Sequence, residues 1–213
     1  MMLDFEKTKK LLERFKLPLV NSVLVKKPEQ LIKLSKKIGF PCVLKISAAD
    51  IIHKSDIGGV KIGIKNEEEL IKAYDEIIRN AKKKKAKLEG VLIQKMEQGK
   101  EVIIGMKNDS QFGPVIMFGL GGVFVEVLKD VSFRIAPVDK KQALDMIKEI
   151  KGYKILEGIR GEKAVNIGAL VNIIVKTSDM VLKNKKIKEL DFNPVIINEK
   201  KATIVDARII FEK

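Results

Sequence analysis

The sequence predicts an α/β fold in two lobes, and three observations carry that prediction. Segments with helical period alternate along the chain with short apolar runs of strand length. The turn MEQGK at 96–100 separates two such runs and reads as a hinge. The 213 residues suffice for one large domain or for two lobes around a cleft, and a hydrophobic content of 46% supports a core. There is no internal repeat and no low-complexity linker. The N-terminal lobe is expected at approximately 17–97, and the C-terminal lobe at approximately 98–213 together with a first helix at 4–16.

Taken in order, Leu11, Leu12 and Phe15 line one side of that first helix. Residues 19–25 (LVNSVLV) read as a strand. Pro28 opens a second helix and Gly39 closes it. Residues 42–47 (CVLKIS) form a short apolar strand. The segment 48–59 has neither period and reads as a long loop, the kind that is often functional inside a compact domain. Val60 to Ile64 resumes a strand. Asn66 with Glu69 resembles a capping box opening a helix to about Arg79. Strands follow at 90–95, 101–106, 115–118 and 131–135. Asp139 begins a helix to about Ile150, and a longer helix fits 162–183, apolar through Ala164, Ile167, Leu170, Ile174 and Leu182. Strands at 187–192, 195–197 and 203–205 complete the pattern.

Composition narrows the function classes. No run approaches the ~18 apolar residues of a membrane span, and MMLDFEKTKKLLERFK lacks the apolar stretch of a secretory signal. No membrane role and a cytoplasmic location are expected. Cys42 stands alone behind Pro41, which fits a buried thiol in a reducing compartment. The net charge of +14 raises nucleic acid as a partner. Against it, lysine is spread along the whole chain, and aromatics are only 5% with no Trp, which is poor equipment for stacking on bases. The dense run Lys82 to Lys85 with Lys87 falls where a helix should end, and cations there oppose the negative helix terminus. No nucleic-acid partner is expected; nucleotides or an acidic partner subunit can use the remaining field. The abundance of Lys, Ile and Glu points to a thermophile.

Several residues carry candidate chemistry. His53, the single histidine, sits in KISAADIIHKSDIGGVKIG, after a strand bearing Lys45 and before Gly58-Gly59. Imidazole titrates near neutrality and can carry a phosphoryl group covalently; a structural loop histidine is the alternative. Lys45, mid-strand among Val43, Leu44 and Ile46, is either a strand-edge lysine reaching water or a clamp on phosphate. Gly58 and Gly59 let a backbone approach phosphate closely, or make a plain turn. GLGG at 119–122 lacks a dinucleotide fingerprint and reads as a tight loop lining the cleft. Glu189, Asp191 and Asn193 alternate in ELDFNP, and Asp206 and Arg208 in VDAR. Oxygen ligands on adjacent strands suit Mg²⁺, and surface carboxylates at strand ends are the alternative.

Three stretches, GFPCVLKISAADIIHKSDIGGVKIGI, GKEVIIGMKNDSQFGPVIMFGLGGVFVEVLKDVSFRIAP and ELDFNPVIINEKKATIVDARI, resemble the β subunit of ADP-forming (NDP-forming) acetyl-CoA synthetase, an ATP-grasp protein related to the succinyl-CoA synthetase β subunit. The resemblance covers nearly the whole chain, with the three motifs in order. It implies an ATP-grasp fold whose two α/β lobes enclose a nucleotide cleft. It assigns Lys45 to the nucleotide phosphates, with Gly58, Gly59 and Val60 covering them. Gln94, Lys95, Met96 and Glu97 match the connection that meets adenine through backbone groups, with Gln94 standing where many relatives carry Glu. Glu101 resembles the acid facing ribose or phosphates, and Arg208 a residue near the phosphates. Asn193 and Asp206 match magnesium ligands, and Asp191 a carboxylate that orients phosphohistidine.

In the family scheme His53 is the carrier. A separate CoA-binding α subunit makes an acyl phosphate; the phosphoryl group passes to an α-subunit histidine, then to the β-subunit histidine, then to ADP, giving ATP. The implied cofactor is Mg²⁺, with ATP/ADP as substrate, and the implied assembly is α2β2. Two rivals share the nucleotide site: a carboxylate–amine ligase that makes acyl phosphate directly, and a non-catalytic nucleotide-sensing subunit.

Overall fold

The computed structural model describes residues 1–48, 51, 54–122, 129–159 and 161–212, and they divide into two units. One is Val20–Met96; the other joins Met1–Leu19 to Glu97–Lys213.

The smaller unit is a four-stranded antiparallel sheet in the order β1 (Ser22–Val25), β4 (Leu88–Lys95), β2 (Cys42–Ala48), β3 (Val60–Ile64). Helices α2 (Leu31–Ile38) and α3 (Glu67–Lys83) pack on one face. Strand alternation decides which side chains meet them. Cys42, Leu44 and Ile46 join Val91 and Ile93 against Leu70 and Ile77 in one apolar core. Pro28 begins a 3-10 turn, Pro28–Gln30, that leads into α2, and Gly39 caps α2 with φ 79°. The Asn66 side chain accepts from Glu69 N at 2.9 Å, as a cap should. The reciprocal bond goes one residue further back, from Lys65 N to Glu69 Oε2 at 2.8 Å. The helix runs past Arg79 to Lys83, so Lys82 and Lys83 occupy its last turn.

The larger unit holds a six-stranded sheet. Its path is β10 (Ala207–Phe211), β8 (Ile187–Ile197), β5 (Lys100–Asp109), β6 (Gly113–Leu120), β7 (Val131–Ile135), and β9 (Ala202–Ile204) also pairs β8. All pairs are antiparallel. Helices α1 (Phe5–Arg14), α4 (Lys140–Glu149) and α6 (Ile167–Lys183) share its apolar core, where Phe118 and Phe192 are fully buried beside Met146 and Ile174. Asp139 caps α4 with a complete capping box to Gln142. A short helix, α5 (Tyr153–Glu157), follows α4.

Several elements differ from the sequence expectation: β10 was not expected, and four others differ as follows. The first strand is shorter, beginning at Ser22 rather than 19. The long helix starts at Ile167, not 162, because Asn166 caps it by accepting from Ala169 N at 3.0 Å; Val165, not Ala164, is then the buried residue. α5 has no helix-length period of its own. Buried Asp130 sets it up by accepting the N–H groups of Lys151 and Gly152 at 2.8 and 2.7 Å. The strands expected at 187–192 and 195–197 are one strand running through Pro194. A proline has no N–H for a ladder, and here it falls where β8 changes partner: β10 pairs as far as Phe192, and β9 from Val195 onward. The Pro194 carbonyl is used, accepting from Val205 N at 3.0 Å.

The turn at 96–100 needs its glycine. Gly99 has φ 153°, and an added Cβ would lie 2.2 Å from the Ile197 carbonyl oxygen, so β5 can begin alongside the end of β8 only without a side chain there.

Candidate functional site

In the smaller unit, Lys45 lies at the middle of β2, an interior strand between β4 and β3, with Leu92 and Val60 as its Cα partners. The strand-edge reading therefore fails: the residue is only 7% exposed. Its side chain projects from the face opposite α2 and α3, as do Val43, Leu92 and Gln94 by the sheet register. Gln94, paired opposite Val43 and Ser22, is 3% exposed. One face of this sheet thus carries an ammonium and an amide on neighbouring strands, a polar pair suited to an anionic ligand with hydrogen-bonding edges.

The chain returns toward Lys45 through a tight turn. Ser55–Ile57 is a 3-10 turn capped by Gly58 at φ 64°, in the left-handed region. Gly58 N donates to Ser55 O and Gly59 N to Lys54 O, at 2.9 and 2.8 Å, while Ile46 N donates to Gly59 O at 2.8 Å. A Cβ at Gly59 would lie 2.5 Å from Ile46 Cγ2. Both glycines are thus explained by the turn and by its packing on β2. Their N–H groups donate within the turn, which agrees with the plain-turn alternative. Val60 then opens β3 opposite Lys45. Asn80 of α3 donates from Nδ2 to Gly58 O at 3.2 Å, a contact no sequence signal announced. His53 falls outside the described residues.

Met96, half-buried, ends the smaller unit. Glu97 begins the long segment of the larger one, with its carboxylate ion-paired to Lys201 at 2.7 Å. Glu101 is exposed at the start of β5, and the glycine turn after β6 packs on its backbone and Cβ. Gly121 N donates to Glu101 O at 2.8 Å, and an added Cβ at Gly121 would come 2.7 Å from Glu101 Cβ. GLGG is thus the close neighbour of Glu101, a function its spacing alone did not specify.

The remaining residues share one face of the six-stranded sheet. In β8, Leu190 and Phe192 are buried in the core, while Glu189, Asp191 and Asn193 are more exposed, so the alternation read from the sequence holds. Asn193 N donates to Asp206 O at 3.1 Å, which brings these two residues side by side. Arg208 stands opposite Asp191 in the β10–β8 register. Its Nη2 lies 2.7 Å from Glu189 Oε1 and 4.0 Å from Asp191 Oδ2. The sequence offered Glu189 with Asp191 and Asn193 as candidate oxygen ligands; its pairing with Arg208 comes from the β10–β8 register, which the motif does not reveal.

Asn193 and Asp206, neighbours through their backbones, both carry hard oxygen donors in their side chains. Among the described residues no group of three or more His, Cys, Asp or Glu side chains is placed to hold a metal ion. A two-oxygen protein set fits Mg²⁺, which takes one or two protein groups and completes its shell with phosphates and water.

Each unit thus carries its own candidate groups: buried Lys45 on the four-stranded sheet, and Asn193 beside Asp206 at the six-stranded one. Residues 1–211 match the ATP-grasp domain family, and the chain belongs to it. Within that family it is 52% identical over 205 residues to subunit beta of the ADP-forming acetate–CoA ligase I of Pyrococcus furiosus, covering 95% of this chain and 88% of that one. Among solved structures it is similar to the acetyl-coenzyme A synthetase 1 of Ca. Korarchaeum cryptofilum in complex with coenzyme A and Ca-AMPCP, with TM-score 0.95 and 45% identity over 99% of this chain and 93% of that one. A second structure of that synthetase, with coenzyme A and Mg-AMPPCP, has its phosphohistidine segment pointing towards the nucleotide binding site; there the TM-score is 0.85 and the identity 43%, over 99% of this chain and 92% of that one.

Proposed function

We propose that this chain is the nucleotide-binding β subunit of an ADP-forming acyl-CoA synthetase, which converts acyl-CoA, ADP and phosphate to acid, ATP and CoA. The observation that carries the reading is the placement of the single histidine. His53 lies in the segment joining Lys45's strand to the Gly58-Gly59 turn, in a chain 43% identical to a structure with a phosphohistidine segment directed at its nucleotide site.

In this reading Lys45 meets the nucleotide phosphates from β2, and the fixed turn at Gly58–Val60 returns the chain beside it. Gln94, Met96 and Glu97 lie along the adenine, and Glu101 faces the ribose or phosphates. Asn193 and Asp206 hold Mg²⁺, which when bound offsets phosphate charge. A partner subunit with the CoA site makes acyl phosphate from acyl-CoA and inorganic phosphate, releasing CoA, and passes the phosphoryl group on. The acid leaves as the acyl phosphate gives up its phosphoryl group to a histidine of the partner. The His53 imidazole then takes that group, forming its P–N bond as the P–N bond on the partner breaks. An oxygen of the ADP β-phosphate then displaces the imidazole, breaking the P–N bond and making ATP. Asp191 orients the imidazole for both transfers. Two catalytic centres too far apart for direct transfer require such a carrier. No helix among the described residues is long and apolar enough to cross a membrane; the proposed setting is the cytoplasm, in an α2β2 complex.

The test is incubation with γ-labelled ATP and Mg²⁺, with and without the partner, and mass mapping of the modified residue. Acid-labile phosphate on His53, and loss of acyl-CoA synthesis in His53→Ala, are expected. A carboxylate–amine ligase would keep most activity in that variant, and a nucleotide sensor would bind ATP without forming protein phosphate.

A further inference from the structure

The arginine expected beside the nucleotide phosphates is held by carboxylates. Arg208 sits on the sheet face that carries Glu189 and Asp191. Its guanidinium is 2.7 Å from Glu189 Oε1 and 4.0 Å from Asp191 Oδ2, with the three side chains between 28% and 37% exposed. Register explains the arrangement. Arg208 is directly opposite Asp191, and Glu189 is the diagonal neighbour two residues along the same strand. On the other side of Asp191 the same row across the sheet continues to Gly105 and then Met117. Gly105 offers no side chain, and a Cβ built there would lie 3.1 Å from Met117 Cε, so the thioether methyl leans over it. Asp191 therefore stands between a guanidinium on one strand and an apolar methyl beyond the other.

We infer that Arg208 is a positioning residue for Asp191, anchored by Glu189, rather than a ligand of the nucleotide phosphates. This rests on the proposed function, in which Asp191 orients the His53 imidazole. A guanidinium presents several N–H groups in a fixed plane and can serve two carboxylates at once; a lysine ammonium lacks that fork. Glu189 holds the guanidinium through Nη2, and from there its charge lies 4.0 Å from Asp191 and biases the direction of that carboxylate. The trio of two carboxylates and one guanidinium keeps a net negative charge, which suits acceptance of an imidazole N–H. Arg208 Nη2 is given to Glu189 and lies toward Asp191, so the contacts of this guanidinium are with carboxylates.

The experiment separates orientation from binding. The chain assembled with its partner subunit is mixed with γ-labelled ATP and Mg²⁺, and single-turnover labelling of His53 is timed at saturating ATP. ATP affinity is measured separately by calorimetry in a His53→Ala background. Arg208→Ala should slow labelling about tenfold or more, as loss of orientation does, with ATP affinity within about twofold of its parent. Arg208→Lys should fall between the two, and Glu189→Gln should slow labelling without changing affinity. Thermal midpoints identify any variant that misfolds, and Glu189→Gln, which keeps size and hydrogen-bonding capacity, carries the test if Arg208→Ala does. The inference is overturned if Arg208→Ala weakens ATP binding about tenfold while labelling at saturation keeps its rate, or if neither quantity moves. Absence of label on His53 in the unaltered protein is a separate result, seen before any variant, and it removes the proposed function itself.

Discussion

A lysine ammonium at the centre of a sheet is costly to bury unless a negative group meets it. Lys45 is placed that way, 7% exposed on an interior strand. Lys45→Met keeps the stem and removes the charge. In the proposed function this removes one charge-assisted contact to phosphate, and it should weaken ATP binding by about 1.5–3 kcal/mol, roughly ten- to a hundredfold, measured by calorimetry, while the fold is retained. Cys42 shows the opposite chemistry. Burial in the apolar core pushes its thiol from 9.0 up to about 11. At pH 8 it should resist thiol reagents in the native protein and react once unfolded. Its folded value is raised, so its contribution to stability is complete below pH 9 and is lost as pH rises from 9.0 through about 11. Cys42→Ala should flatten a denaturation series over that alkaline window.

At the scale of elements, the turn that closes the His53 segment is over-determined. Gly58 takes φ 64°, and a Cβ there would lie 2.6 Å from Asn80 Nδ2. Gly58→Ala should cost about 1–2 kcal/mol from the left-handed backbone alone, and more if Asn80 must move. Asn80→Ala instead leaves the backbone conformation possible and removes only the bond to Gly58 O. It should cost about 0.5–1.5 kcal/mol, read as a small fall in thermal midpoint, and should raise protease sensitivity at 54–59 before anywhere else. A glycine pair next to a candidate phosphate site invites the reading of an anion cradle. The hydrogen bonds say otherwise, because both N–H groups are already donating to Lys54 and Ser55. The same lesson applies to Pro194, which reads as a break between strands and is in fact the point where one strand exchanges β10 for β9.

For the whole molecule, a charge of +14 in 213 residues sets solubility and the sign of the long-range field, not the fold. Co-expression with the partner should give an α2β2 mass by light scattering. Duplex DNA should show no tight binding at physiological salt, whereas a true nucleic-acid protein would bind with a steep salt slope. Both measurements address partners, where the field acts.

By itself the sequence determined the α/β class, the caps at Asn66 and Asp139, the alternation that sets Asp191 and Asn193 on one face, and the ATP-grasp family. These are local or periodic properties: a cap, a pleat and a contiguous motif are each written within a few residues. Only the tertiary structure decided that Lys45 lies on an interior strand, that Asp130 builds α5, that Glu101 lies under Gly121, and that Arg208 reaches Glu189 and Asp191. Those facts depend on which strands become neighbours. Strand order is set by burying apolar surface across the whole sheet, a sum over many distant residues that no single stretch of chain records.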